Sequence, residues 1–389
     1  MNHEAKKQYL KMIQQRYEAA SKKAKTLILD EFASVCGYNR KYAIGLISGK
    51  KTLSFGKPGR KPRYTDALIP HIRFLWLSME QISSRRMVAA LPLWMPFYAK
   101  NKEAPTPTPN EKFLLLKMSP STLNRYFKKI RGTLKGLSST RPNLLLKNKI
   151  PIQTNDYHVT KPGHFQVDTV AHCGNSLAGA FANTLTMTDV ASSWTENRAT
   201  WTKDSLEIKK AVEDIEEKLP FPMLGFASDC GTEFLNYRVM NYLQGDHRKQ
   251  KVFMSRSRPY QKNDNAYVEQ KNWTHVRSIF GYDRIEDPAL VNLMNDIYLQ
   301  HWNPLHNFFL PSMKLESKIR VGGALKKKHD KPLTPFQRIL NSADVSERNK
   351  EDLRARYALL DPFVLKRQLE AKLEVFYRTL NREALSRAS

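Results

Sequence analysis

Cysteine is scarce in this sequence: Cys36, Cys173 and Cys230 stand far apart and form no CxxC pair. That excludes a disulfide scaffold and fits a reducing compartment. No paired His and Cys spacing of the zinc-binding kind occurs either, so no zinc is expected. Long apolar runs are missing too. Nothing approaches the ~18 consecutive apolar residues of a membrane helix, and Met1-Asn2-His3-Glu4 opens no secretory signal. No membrane partner is therefore expected, and the protein is read as cytoplasmic and, given its charge, nucleoid-associated. Acidic residues are the minority, 37 against 64 Lys and Arg, a net charge of +27. What is present in quantity is apolar and aromatic: 41% hydrophobic residues, with 18 Phe, 16 Tyr and 6 Trp. A chain of 389 residues with that content is globular and long enough for roughly two to four domains.

The charge is unevenly spread. Residues 1–150 carry 30 Lys/Arg against 8 Asp/Glu, residues 151–310 carry 16 against 19, and residues 311–389 carry 18 against 10. A basic front, a near-neutral middle and a basic tail fit a core flanked by modules that grip a polyanion. Solvated helix faces, the plainer explanation, usually mix both signs.

The middle holds the chemistry. GHFQVDTVAHCG (163–174) alternates as a strand does, with Phe165, Val167 and Thr169 on one face and Gln166, Asp168 and Val170 on the other. GFASDCGTEF (225–234) is a short apolar run that delivers Asp229 at its end and then turns at Gly231. NDNAYVEQKNWTHVRSI (263–279) opens a helix capped by Asn263, Asp264 or Asn265 and carries Glu269. Each acid alone also fits an ordinary strand-end or surface role. Among competing carboxylates, Asp264 reads as a cap, Asp189 as a turn residue and Glu233 as structural.

Together the three acids resemble the D,D,E site of the retroviral-integrase and transposase superfamily. VDTVAHCG, MTDVASSWTENRA, the SRPYQKNDNA-VEQKNWTHVR stretch, GYDR-EDPALV and NFF-P-MKL resemble one bacterial insertion-sequence transposase family with an integrase catalytic core, over residues near 40 to 370. Two departures stand out: Asp229-Cys230-Gly231 replaces the Asp-Asn-Gly of many relatives, and 40 positions separate Asp229 from Glu269, a few more than usual. The resemblance implies Asp168, Asp229 and Glu269 as catalytic and metal-holding residues, with two Mg2+ or Mn2+ ions per site. It further implies hydrolysis at transposon ends, transfer of the 3′-hydroxyl into target DNA, and a homo-oligomer on DNA. A nuclease that cleaves without joining and a domesticated DNA-binding regulator are the alternatives.

The implied fold is multi-domain: N-terminal all-α helix-turn-helix modules, a central α/β RNase H-like integrase core, and a small basic C-terminal β/α region. Residues 1–55 read as a three-helix DNA-binding domain with Asn39, Arg40 and Lys41 at the start of the recognition helix, although any small helical bundle shows this pattern. Residues 56–65 read as an AT-hook-like basic arm using Arg60, Lys61 and Arg63, with a solvated linker as the plainer alternative. Residues 66–131 form a second helical DNA-binding domain, interrupted by a proline-rich surface loop (Pro92, Pro96, then 104–110), with Ser121, Thr122, Asn124 and Arg125 facing DNA. A linker (132–155), the core (156–305), a basic β-containing module (306–345) and C-terminal helices (346–389) follow. Within the core, Thr200 or Thr202 is expected to cap the first helix. Arg256, Arg258 and Lys262 read as a cationic lip for phosphates, with Tyr260 available for base stacking and Lys271, Asn272 and His275 tracking the DNA end.

Overall fold

The computed structural model describes residues 3–53, 63–133, 159–229, 231–256, 266–321 and 324–388. The chain divides into two compact units, 1–65 and 66–389.

In the first unit, α1 (His3–Glu18), α2 (Lys22–Cys36) and α3 (Arg40–Ile47) close around Leu10, Ile13, Ile28, Phe32, Ala43 and Leu46. Gly37 ends α2 in the left-handed conformation, φ +69°, which a residue with a Cβ adopts only at a cost. Asn39 then starts α3 by accepting the Tyr42 N–H at 2.8 Å.

The second unit opens with four helices: α4 (Ile69–Ser78), α5 (Ser84–Tyr98), α6 (Pro109–Leu116) and α7 (Pro120–Thr133). Pro92 and Pro96 lie inside α5, not in a surface loop. Met87, Ala90, Leu91, Trp94, Met95 and Tyr98 are all buried along it. That packing outweighs the roughly 3 kcal/mol that an interior proline costs a helix. The helix belongs to the unit's core: the Trp94 indole donates to the Phe309 carbonyl at 3.0 Å and packs edge-on against Phe363.

Five strands form a mixed sheet in the order β3-β2-β1-β4-β5. They are β1 (His164–Ala171), β2 (Asn183–Asp189), β3 (Thr195–Thr200), β4 (Gly225–Ser228) and β5 (Phe253–Arg256). β1, β2 and β3 run antiparallel, whereas β4 and β5 lie parallel to β1. A sheet of this kind is compatible with an integrase-like core. Helices α8 (Ser205–Lys218) and α9 (Tyr237–Gln244) make the β3–β4 and β4–β5 connections. Asp204, rather than Thr200 or Thr202, caps α8, accepting the Leu206 N–H at 2.8 Å. Thr200 instead donates to the Thr202 carbonyl.

β3 is an edge strand, yet it is fully buried. Two side-chain amides substitute for a neighbour: Asn295 pairs with the N–H and C=O of Ala199, and Asn307 with those of Thr195, at 2.8–3.0 Å. An unpaired edge thus gains partners for its backbone groups. Asp189, expected to be a turn residue, ends β2 fully buried and accepts from the Gly163, His164 and Ser192 N–H groups and the Ser192 hydroxyl.

Helix α10 (Ala266–Lys271) widens into π-helical turns over Asn272–Arg277 and ends at Ser278–Phe280. α11 (Pro288–Asp296) continues through further π-helical turns, Ile297–Trp302 and Leu305–Phe309. A basic hairpin, β6 (Leu315–Val321) and β7 (Ala324–His329), precedes α12 (Pro335–Asn341), α13 (Glu347–Ala358) and α14 (Pro362–Ala388). Phe376 of α14 packs on Phe280, with ring centroids 4.9 Å apart.

Candidate active site

Parallel pairing of β1 with β4 aligns Val167 with Ser228, so the next residues, Asp168 within β1 and Asp229 just past the end of β4, stand side by side. Asp168 is partly buried. Loss of solvent raises its carboxyl to about 6, the charge of Asp229 pushes the same way, and hydrogen bonds from the Thr169 N–H and Asn272 oppose the rise. Those bonds are short: 2.8 Å from the Thr169 N–H to Oδ1 and 2.6 Å from Asn272 Nδ2 to Oδ2. Asp229 accepts the Gly231 N–H at 2.9 Å. A Cβ on Gly231 would lie 2.6 Å from a Glu233 oxygen and 2.9 Å from Asp229 Oδ1. Glycine thus leaves room for both carboxylates at the turn, where a Cβ would make them shift.

Glu233 belongs to this acidic edge. Its carboxylate accepts the Thr169 hydroxyl at 3.0 Å and pairs with Lys203 at 3.2 Å. Burial alone would raise its pKa, but its own backbone N–H, Lys203 and Thr169 together hold it below the usual value.

The helix bearing Glu269 is tied to β1 at two points. Gln166, buried on the Asp168 face of the strand, accepts the N–H groups of Tyr267 and Val268 at 3.0 and 3.3 Å. Its amide oxygen thus satisfies donors in the first turn of α10. One turn later Asn272 reaches Asp168. Glu269 lies between these anchors and is exposed. Asp168 and Asp229 are thus brought together, with Glu269 on the neighbouring helix. Among the described residues, no three His, Cys, Asp or Glu side chains are gathered closely enough to hold a metal ion. Gln166, Gly231, Glu233 and Lys203 were not singled out as site residues from sequence. Asn272, expected to track the DNA end, instead bonds Asp168.

The residues expected to contact DNA divide. Lys41 is exposed, and so is Arg40, which pairs with Asp30 at 2.9 Å, while Asn39 spends its side chain as a helix cap. Arg63 lies over the Tyr64 ring, and Arg60 and Lys61 lie outside the described residues. Ser121, Asn124 and Arg125 are exposed on α7, but Thr122 is buried. Its hydroxyl bonds to Ser119 at 3.0 Å in the first turn, so it presents nothing to a ligand. Arg256 is exposed at the end of β5; Arg258, Tyr260, Lys262 and the Asp264 cap lie outside the described residues.

Lys271, expected to track the DNA end, is half-buried. Its ammonium sits 3.3 Å from Nε2 of buried His275. Burial, reinforced by Arg86 and Arg338, lowers its pKa to about 7. His275 and His306 pack beside it, tilted at 50° with centroids 4.1 Å apart, both held well below the normal imidazole range by burial.

No protein-family model matches the chain. It is 31% identical over 334 residues to the uncharacterized protein y4rM of Sinorhizobium fredii, a match covering 83% of this chain and 92% of that protein. The chain belongs to the y4rM family. Solved structures similar to it are retroviral integrase catalytic cores. The HTLV-2 integrase core in its dimeric form aligns at TM-score 0.28 and 16% identity, over 39% of this chain and 91% of that one. The BIV integrase core aligns at 0.22 and 18%, over 28% of this chain; the chain spans 64% of that core's length. Among the described residues, no helix is long and apolar enough to cross a membrane.

Proposed function

We propose that this protein is a DNA transposase of insertion-sequence type, with Asp168, Asp229 and Glu269 as its reaction centre. The observation that carries the reading is the placement of Asp168, within β1, beside Asp229, just past the end of β4, with Asp168 bonded through Asn272 to the helix that bears Glu269. The sequence resemblance and the +27 charge support it. Mg2+ or Mn2+ fits the donor set, because hard cations take carboxylate oxygens and a cation beside Asp168 would offset both its burial and its repulsion from Asp229. Asp168, Asp229 and Glu269 would hold two such ions, which activate an attacking oxygen and stabilise a leaving one.

The chain's own groups set the geometry. Thr169 N–H and Asn272 hold the two oxygens of Asp168 in one orientation, and Gly231 N–H does the same for Asp229. Gln166 fixes the start of the helix carrying Glu269. In this reading, water hydrolyses a phosphodiester at the transposon end, and the exposed 3′-hydroxyl then attacks a phosphodiester of target DNA, displacing a 3′-oxygen. The basic residues 1–150 and 311–389 would hold ends and target, with two or more copies of the chain on the paired ends.

A second reading, a DNA-binding regulator with an idle core, draws on one observation: the three acids do not converge into a metal-holding group among the described residues. One experiment separates them. Labelled duplexes taken from the DNA flanking the gene are mixed with supercoiled target and wild-type or Glu269→Gln protein, with Mg2+, Mn2+ or chelator. Joined product that needs metal and is lost in the variant is the expected result. Nicking without joining would indicate a nuclease, and tight binding without cleavage a regulator.

A further inference from the structure

The helix that bears Glu269 also carries an aromatic surface that the proposed chemistry leaves unused. Trp273 is 49% exposed and Tyr282 61% exposed, in a chain that buries Trp76, Trp94, Trp194 and Trp302 almost completely. Their rings lie 6.4 Å apart at 50°, so neither covers the face of the other. Arg277 sits over the Tyr282 ring at 4.6 Å and donates to the Gly281 and Ala171 carbonyls at 3.1 and 2.9 Å. That clamp ties Tyr282 to the end of β1, three residues past Asp168. Gly281, at φ +63° and ψ −147°, turns the chain back so that Tyr282 meets Arg277, a conformation open to glycine and strained for other residues. Trp273 directly follows Asn272, which touches Asp168. The widened helical turns over Asn272–Arg277 are a departure often found at functional sites.

Two exposed aromatic rings, a guanidinium fixed against one of them, and a strongly basic chain match a nucleobase better than an apolar protein surface, because every base offers a π-face and carries phosphate beside it. We infer that Trp273 and Tyr282 form a stacking platform for an unpaired nucleobase at the DNA end presented to the acidic edge. The inference rests on the proposed reaction for its DNA end, and extends it by requiring that the end be frayed or tailed. Stacking there would hold the strand while Asn272, the adjacent residue, orients Asp168.

The test uses the full chain and two labelled duplexes with the flanking-DNA end sequence, one fully paired and one with a short unpaired tail. Trp273→Ala and Tyr282→Ala should each weaken binding of the tailed duplex about tenfold, the loss of roughly one stacked base. Trp273→Phe should stay near wild type, and the paired duplex should be unaffected by any of them. Equal binding of both duplexes by wild type and Trp273→Ala overturns the inference. So does a change of oligomeric state in Trp273→Ala with tailed binding intact, which would make the pair a protein contact. Glu269→Gln separates the two layers. If it keeps tail-dependent binding while wild type neither cleaves nor joins, the platform stands and the proposed reaction fails. If wild type cleaves and joins, and Trp273→Ala does so with unchanged KM, the platform fails and the reaction stands.

Discussion

The helix from Ala266 to Phe280 carries two contrasting faces. One face bonds Asp168 through Asn272 and exposes Glu269 and Trp273. The other turns Lys271 and His275 inward, against His306, Arg86 and Arg338. Only two positions separate Glu269 from Lys271, yet one is exposed and the other half-buried against His275. Adjacent polar residues on a helix point some 100° apart, so chain neighbourhood says little about shared function. The acidic face is read as chemistry and the basic face as architecture, and each part of that contrast can be tested.

The largest effect is expected on the acidic face. Asp168→Asn should lower end cleavage at least about a hundredfold while leaving DNA affinity and thermal melting near wild type. Single-turnover cleavage and a melting curve check both halves. Next in size, Asn272→Ala removes the bond that orients Asp168 and should cost about 10- to 100-fold in Mn2+ affinity or rate, read by metal titration. An unchanged titration would show that Asn272 orients nothing of consequence.

The basic face should respond through stability. Lys271→Met removes an ammonium whose pKa burial has lowered to about 7, and should stabilise unit 66–389 by about 1–3 kcal/mol in denaturant unfolding at neutral pH. DNA affinity should not change. A clear loss of affinity would return Lys271 to the surface role expected from sequence.

The smallest effect is a pH dependence. Burial lowers the pKa of His172 to about 3 and holds His275 and His306 well below 6.5. For a base depressed in the fold, the unfolded chain binds more protons as pH falls, so stability is complete above 6.5 and is lost below it. Asp168, raised to about 6, has the opposite sign and offsets part of the loss. Melting temperature should therefore fall from pH 7.5 to 5, and His275→Gln with His306→Gln should flatten the slope.

These contrasts mark what could be read from the residues alone. The alternation around Asp168 and the apolar run into Asp229 were legible because strand period and terminal acids are local signals. α5 was not, because Pro92 and Pro96 obey local rules that the burial of Trp94 and Tyr98 overrides. The setting of Lys271 was not legible because its surroundings come from Arg86 and Arg338, far away in the chain. Glu233 and Gln166 were passed over for the same reason: their partners, Thr169, Lys203 and the first turn of α10, are set by sheet pairing. Amide capping of β3 by Asn295 and Asn307 involves contacts about a hundred residues apart and leaves no local pattern.

The most direct measurement is single-turnover cleavage of the flanking-DNA end in Mn2+, with Asp168→Asn, Asp229→Asn, Glu269→Gln and Lys271→Met run beside wild type. The account predicts that each of the three acid variants abolishes cleavage and that Lys271→Met retains it. Full cleavage by any one acid variant, or its loss in Lys271→Met with the fold intact, would contradict the division of this helix into a reacting face and a supporting one.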